Sequence, residues 1–293
     1  MLTRLTRGDR DQPRGAHLVG SIVLVLVTAL GLVAFAWPFF ASADVVREHG
    51  QDAPYLFALL IGLLGLNVLA EQSAGGLDAK RVAMLGVVAA LGGALRVLSA
   101  GTAGLEPVFV VVILAGRVLG RRTAFLAGAL ALLVGAFLTG GVGPWTAFQM
   151  IATGWTALGA ALLPPVRHPR LEVAMLAGYG LLAGLAYGLV MNLWFWPFVA
   201  MGTTPGGGSA FVPGADPATN LAHYGVFYVT TSLGWDLPRG VLSAALIALA
   251  GRRLLAALRR AVRRAHFDTE GVFLPVSPAS GAAGRSDPAR SSR

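Results

Sequence analysis

Residues 19–40 read VGSIVLVLVTALGLVAFAWPFF and carry no charged side chain. A transmembrane α-helix needs about 20 predominantly apolar residues to cross the hydrocarbon core of a bilayer. The run is longer than the apolar core of a typical signal peptide, and it ends in Trp37, Pro38 and Phe39 instead of a small-residue cleavage site. We therefore expect a retained transmembrane helix at this position.

The composition of the whole chain agrees with a membrane protein. Of its 293 residues, 55% are hydrophobic and only 13% are charged, about half the charged fraction of an average soluble domain. The 39 glycines suit helices that pack closely in a membrane. The chain has no cysteine, which excludes disulfides, thiolate metal sites and thiol nucleophiles.

Further apolar runs predict an all-α integral membrane protein of about eight transmembrane helices. The predicted helices cover residues 17–40, 53–70, 82–100, 107–119, 123–139, 148–164, 173–200 and 237–258. We expect residues 1–16 to form a basic N-terminus, 17–79 to hold two additional helices, 80–264 to form a six-helix core, and 265–293 to be a disordered tail.

The placement of the basic residues predicts the orientation of the chain. The net charge is +9, and arginine and lysine fall before the first helix, in alternate connections at 80–81, 117–122 and 167–170, and at 252–264. Such clusters mark the cytoplasmic side of a cell membrane. Eight spans would place both termini in the cytoplasm, and this distribution argues against a nucleic-acid partner.

The segment before the last helix has two interpretations. Residues 201–221 form a long Gly- and Pro-rich loop, expected outside, and residues 223–234 would pack against the outer end of the bundle. Asp236 as N-cap and Pro238 in the first turn would then begin the last helix. The alternative is one long kinked helix from 222 to 258.

No motif for catalysis is present. The sequence contains no Walker A, HExxH or GxSxG motif, its five histidines are dispersed, and the predicted spans contain no pair of carboxylates. We therefore expect neither enzymatic activity nor a metal or cofactor.

Ionisable and aromatic residues concentrate towards the outer end. Arg96, Glu106, Asp236 and Arg239 lie near the membrane, where a charge indicates a functional site. The alternative is a structural Arg96–Glu106 ion pair beside a capping Asp236. Five of the six tryptophans, at positions 37, 145, 194, 196 and 235, fall in the outer half. They suit either an interfacial belt or an outward-facing pocket for a flat ligand.

Small residues recur on the third predicted helix. Gly86, Ala90 and Ala94 are spaced at i, i+4 and i+8, so they form one face on which another helix could lie closely. This face could serve packing inside the bundle or docking of a separate subunit.

Four features together resemble the substrate-binding S component of energy-coupling factor (ECF) vitamin transporters. They are the Ala90–Ala94 strip, the run Arg96 to Gly104-Leu105-Glu106-Pro107, the loop Gly140-Gly141-Val142-Gly143-Pro144-Trp145 with Phe148-Gln149-Met150, and Asp236-Leu237-x-Arg239. The resemblance covers residues 80–260 and implies a six-helix core. The Glu-Pro and Gly-Gly-Val-Gly-Pro-Trp forms look like an actinobacterial subgroup that handles cobalamin or a related corrinoid.

The resemblance also implies partners and sites. It implies a transmembrane T component and two cytoplasmic ATPase subunits, which would supply the energy. Gly86, Ala90 and Ala94 would then dock on the T component. A vitamin or vitamin precursor would bind at the outer end; the predicted site residues are Trp145, Gln149, Asn192, Trp196, Tyr228, Asp236 and Arg239.

Two other functions compete with this one. A stand-alone secondary transporter would need an ion-coupling carboxylate near the midplane and often shows inverted repeats, and neither is visible in the sequence. A membrane scaffold would not need the outer concentration of Trp, Asn and Gln.

Overall fold

The computed structural model describes residues 14–40, 79–99, 102–199 and 208–265, with scattered residues between 58 and 72. In these ranges the chain forms eight α-helices and no strand. They are α1 Arg14–Ala36, α2 Ala79–Ser99, α3 Val108–Leu119, α4 Arg121–Leu138, α5 Trp145–Leu162, α6 Pro169–Val199, α7 Pro217–Phe227 and α8 Leu233–Ala265. Short 3₁₀ turns lie at Trp37–Phe39 and Thr102–Gly104, and a π-helix at Tyr228–Ser232.

The prediction of an all-α membrane protein is confirmed, but the count of eight spans is not. Five described stretches are long and apolar enough to cross a membrane: Leu18–Phe39, Arg81–Leu98, Arg121–Leu138, Pro169–Phe198 and Pro217–Arg263. Helix α3 has 12 residues and a length of about 18 Å, less than the hydrocarbon thickness of about 30 Å. Its residues 108–116 are all buried, so α3 is a central core helix.

Several predicted segments fall mainly on residues outside the described ranges. The helix over 53–70 is one, although the residues described between 58 and 72 are helical. The basic segment 1–16, the beginning of the 201–221 loop and the tail 265–293 are the others.

The predicted start of the last helix at Asp236 is wrong, and the continuous-helix alternative is closer to the structure. Helix α7, the π-helix and α8 follow one another without a break from Pro217 to Ala265. The N-cap is Asp216, whose carboxylate accepts hydrogen bonds from the backbone N–H groups of Ala218 and Thr219. The Thr219 hydroxyl also donates to Asp216 and, with these N–H groups, holds the pKa of that carboxyl below its usual range. Asp236 and Pro238 lie inside the helix.

Close contacts at small residues join the helices of the core. A Cβ at Gly93 of α2 would lie 2.6 Å from Val134 Cγ1 of α4, and one at Gly184 of α6 would lie 2.6 Å from Gly240 Cα of α8. Distances this short leave no room for a side chain. Glycine is therefore required where α2 crosses α4 and where α6 crosses α8.

The bundle has two chemically different ends. At one end, here called the basic end, Arg117 of α3 and Arg259 of α8 both pair with Glu172 in the first turn of α6. At the opposite end, here called the polar end, Arg96 donates to Gln149 and Arg239 pairs with Glu106. The basic connections 117–122, 167–170 and 252–264 thus share one end. The side of the membrane that this end faces stays a prediction.

Candidate functional site

A cavity of about 200 Å³ lies at the polar end of the bundle. Residues from four parts of the chain line it: Glu106, Gln149, Tyr187, Gly188, Met191, Asn192, Ser232, Trp235, Asp236 and Arg239. These residues come from the turn before α3, the first turns of α5, the C-terminal half of α6, and the π-helix with the start of α8. The cavity is thus formed only when these helices pack together.

Arg239 is the centre of a buried ionic cluster in the cavity wall. Its Nη2 donates to Glu106 Oε1 at 3.1 Å, and its Nη1 pairs with Asp236 Oδ1. The guanidinium carbon lies 5.7 Å from the ring centroid of Phe109 and 5.1 Å from that of Tyr187. Cation–π attraction of this kind is strongest where water is excluded, and Arg239 is only 8% exposed.

Local backbone features bring the two carboxylates to Arg239. Gly104 has φ +74, and a Cβ there would overlap the backbone carbonyl of Trp235. The 3₁₀ turn therefore lies directly against the first turn of α8, which brings Glu106 within reach of Arg239. A Cβ at Gly188 would overlap the Asp236 carboxylate, so α6 needs a glycine at that point for the carboxylate to fit.

The cluster has unused hydrogen-bonding capacity. Within the part of the chain that the structure describes, Asp236 Oδ2 and Arg239 Nε are buried without a hydrogen-bond partner. An unsatisfied buried polar atom costs about 1–3 kcal/mol. A ligand with a hydrogen-bond donor or a positive charge would satisfy Asp236.

Four of the seven predicted site residues line this cavity. They are Gln149, Asn192, Asp236 and Arg239. Asn192 Nδ2 donates to the Gly188 carbonyl at 2.8 Å, which fixes its amide and leaves the side-chain oxygen as a possible acceptor. Gln149 Oε1 accepts from Arg96 Nη2 at 3.3 Å.

The other three predicted residues do not line the cavity. Trp196 is fully buried at 0% exposure and donates to the Ser209 carbonyl, inside a separate aromatic cluster with Phe211, Tyr224 and Phe227. Its ring faces are covered by side chains, so no ligand can stack on it in this structure. Trp145 donates to the Gly141 carbonyl, and its ring contacts Trp194. Tyr228 lies beside Asp236, but its hydroxyl donates to the Leu185 carbonyl at 3.3 Å.

Three important lining residues were not part of the predicted site. Glu106 was recognised as ionisable near the membrane, but its partner is Arg239 of α8, 133 positions later. Trp235 is 52% exposed and is the tryptophan that lines the cavity. Its place in the sequence, next to Asp236, could have identified it as a site residue. Tyr187 precedes Gly188, and the regular Gly180, Gly184, Gly188 spacing on α6 could have revealed this face.

The cavity does not have the chemistry of a metal site. Among the described residues no group of three His, Cys, Asp or Glu side chains lies close enough to hold an ion. The Glu106 and Asp236 carboxylates are bound to the Arg239 guanidinium instead.

The length and apolar surface of the helices define an all-α, multi-pass membrane protein with a polar cavity at one end. No protein-family model matches the chain, and searches of curated proteins and solved structures find no significant match.

Proposed function

We propose that this chain is the substrate-binding membrane subunit of an ECF-type importer. It would bind a vitamin or vitamin precursor at the polar end and deliver it together with a T component and two ATPase subunits. One observation supports this best. Three of the four sequence features that resemble S components, carried by Arg96 with Glu106, by Gln149, and by Asp236 with Arg239, meet at one cavity.

The cavity favours a small polar ligand. A corrinoid, the ligand class implied by the resemblance, is a tetrapyrrole macrocycle far larger than a cavity of about 200 Å³. The buried Asp236 Oδ2, which has no hydrogen-bond partner among the described residues, suits a donor such as an amine or amide N–H. We propose a small, nitrogen-containing vitamin or precursor that packs on Trp235 and bonds to Gln149, Asn192 and Asp236.

The same proposal gives a role to the small-residue face of α2. Gly86, Ala90 and Ala94 are exposed, whereas Ala89, Gly92 and Gly93 are buried against the bundle. A smooth exposed face allows another helix to approach closely, and this is what docking of a T component would require. The partner ATPases would supply the nucleotide chemistry.

Calorimetry with a panel of water-soluble vitamins and their precursors on the detergent-purified chain tests the ligand assignment. Trp235→Ala should weaken binding of the active compound at least several-fold, because ring stacking contributes about 0.5–1.5 kcal/mol beyond area burial. Trp145→Ala is the matched control, since that tryptophan lies outside the cavity. Equal loss in both variants, or loss in neither, would contradict the site.

Uptake measurements test the class of transporter. Cells that express the chain should take up the ligand only when a T component and the ATPases are also present. Uptake that persists without them, and collapses with the ion gradient, would instead identify a stand-alone secondary transporter. A chain that binds no member of the panel and supports no uptake would favour the alternative of a membrane scaffold.

A further inference from the structure

A second cavity, of about 280 Å³, opens at the basic end, between the first turn of α6 and the last turns of α8. Its charged lining consists of Glu172 and four arginines of α8: Arg252, Arg259, Arg260 and Arg263. The arginines are separated by seven, one and three residues, so they lie on one face of the helix. This cavity is separate from the one at the polar end and plays no part in the proposed ligand binding.

The one carboxylate in the cavity is already neutralised. Glu172 Oε1 accepts from Arg117 Nε at 2.8 Å and from Arg259 Nη2 at 2.6 Å, and the side chain is buried. The remaining nitrogens of Arg117 donate to the Leu163 and Pro164 carbonyls at 2.8 and 3.0 Å. Glu172 is therefore committed to Arg117 and Arg259 and does not compensate the other arginines.

Three guanidinium groups in the cavity have no partner among the residues that the structure describes. Arg252, Arg260 and Arg263 are exposed and form no ion pair with the described residues. Their shared face forms a strip of positive charge about 16 Å long on the surface. Guanidinium groups bind phosphate oxygens through paired, charge-assisted hydrogen bonds, so phosphate is the chemical group that this lining fits best.

The rest of the lining and its surroundings are apolar. Val173, Leu255 and Ala256 complete the cavity wall. Leu249, one turn before Arg252, is 82% exposed, and Leu171 at the start of α6 is 62% exposed. Exposed leucines on long apolar helices mark the surface that faces lipid tails. The cavity thus lies where the lipid-facing surface gives way to positive charge, which is the level of phospholipid head groups.

We propose that this cavity binds the head group of an anionic phospholipid. The polar head group lies along the strip formed by Arg252, Arg260 and Arg263, and the acyl chains lie along Leu171 and Leu249. Basic pockets between helices at a membrane surface recognise such head groups. A free phosphate would use the arginines but not the adjacent apolar surface, and an acidic segment of another protein would likewise leave that surface unused.

Native mass spectrometry of the full chain, released from detergent with added lipids, tests this site. The probes are phosphatidylglycerol and cardiolipin against phosphatidylcholine. The triple variant R252Q/R260Q/R263Q removes the unpaired arginines, whereas the matched control R121Q/R167Q/R253Q removes three exposed arginines of the basic end that do not line the cavity. Arg259 is retained in both because it pairs with Glu172.

Wild type and control should retain the anionic lipids, and the cavity variant should bind them at least about tenfold more weakly, since each arginine near the surface strengthens binding. Equal weakening in both variants would show general surface attraction and overturn the site. Displacement of the lipid by millimolar inorganic phosphate would overturn the lipid assignment. If the cavity variant has a lower melting temperature than wild type in the absence of lipid, the single variant R260Q is used instead. Retention of the anionic lipids by R260Q equal to that of wild type would overturn the proposal.

Discussion

At the scale of single residues, Arg239 determines the character of the polar end. It is buried between the rings of Phe109 and Tyr187 and pairs with Glu106 and Asp236. A buried charge is stable only when it is paired, and the penalty for an uncompensated one exceeds the benefit of the pair. The guanidinium is therefore needed first for folding, whatever part it takes in ligand binding.

Arg239→Ala should lower the free energy of unfolding by about 3–5 kcal/mol, because two buried carboxylates would lose the guanidinium that pairs with them. Thermal unfolding of the purified chain in detergent measures the effect. Arg253→Ala, at an exposed arginine of the same helix, should leave the melting temperature unchanged. A melting temperature for Arg239→Ala equal to that of the Arg253→Ala control would show that the cluster does not hold the fold together.

At the scale of elements, α6 packs against α8 through a row of glycines on α6. Gly180, Gly184 and Gly188 of α6 face Ser243, Gly240 and Asp236 of α8 in turn. The contact between these helices positions Asp236 and Arg239 on one side and Tyr187 and Asn192 on the other. The geometry of the cavity therefore depends on Gly180 and Gly184, which lie outside it, as well as on Gly188 in its lining.

Gly184→Ala should destabilise the protein by about 1–3 kcal/mol through overpacking, because the new Cβ would lie 2.6 Å from the Gly240 backbone. Gly178→Ala is the matched control on the same helix. A Cβ there has no neighbour within 4 Å, so the change should stabilise the helix by up to about 1 kcal/mol. Unfolding of both variants in detergent gives the comparison. A Gly184 variant as stable as the Gly178 variant would mean that the two helices separate without cost.

The two faces of α2 give a second test at this scale. Ala90→Trp adds bulk on the exposed face, so unfolding should be nearly unchanged while uptake with the partner subunits is lost. Gly93→Ala adds a single carbon on the buried face, 2.6 Å from Val134 Cγ1, and should lower stability instead. Measuring melting temperature and uptake in parallel distinguishes docking from packing. Equal destabilisation by both variants would assign the strip to internal packing.

Helix positions were predictable from the sequence, whereas the start of the last helix was not. Helix α4 was predicted over 123–139 and spans Arg121–Leu138, since apolar runs and Gly breaks define such bounds locally. Asp236 and Pro238 are residue types typical of a helix start. In the structure, however, the hydroxyls of Thr230 and Thr231 donate to the backbone carbonyls of Val226 and Phe227, and the π-helix continues the chain into α8. That outcome depends on contacts with α6, such as the Tyr224 hydroxyl bond to Leu189.

At the scale of the whole molecule, the two ends of the bundle carry separate chemistries. The polar end holds the Arg239 cluster and the cavity beside it, and the basic end holds a second cavity lined by arginines that have no partner among the described residues. The one-sided distribution of tryptophans pointed to the polar end, and Gln149, Asn192, Asp236 and Arg239 of the predicted site line the cavity there. The exclusion of Trp196 and the inclusion of Glu106 were not predictable, because both depend on which distant helices pack together.

The two ends of the bundle should face opposite sides of the membrane, with the basic end in the cytoplasm. The chain has no cysteine, so single cysteines can be labelled without background. Ala218→Cys lies at the polar end and His168→Cys at the basic end; both positions are exposed. They are separated by α6, whose 31 residues extend about 46 Å, more than the hydrocarbon thickness of about 30 Å. A membrane-impermeant maleimide should label Ala218→Cys in intact cells and His168→Cys only after permeabilisation, because arginine clusters are retained in the cytoplasm. Labelling of His168→Cys from outside would show that the chain has the opposite orientation, with the cavity on the cytoplasmic side. That result would contradict a subunit that captures its ligand from outside the cell.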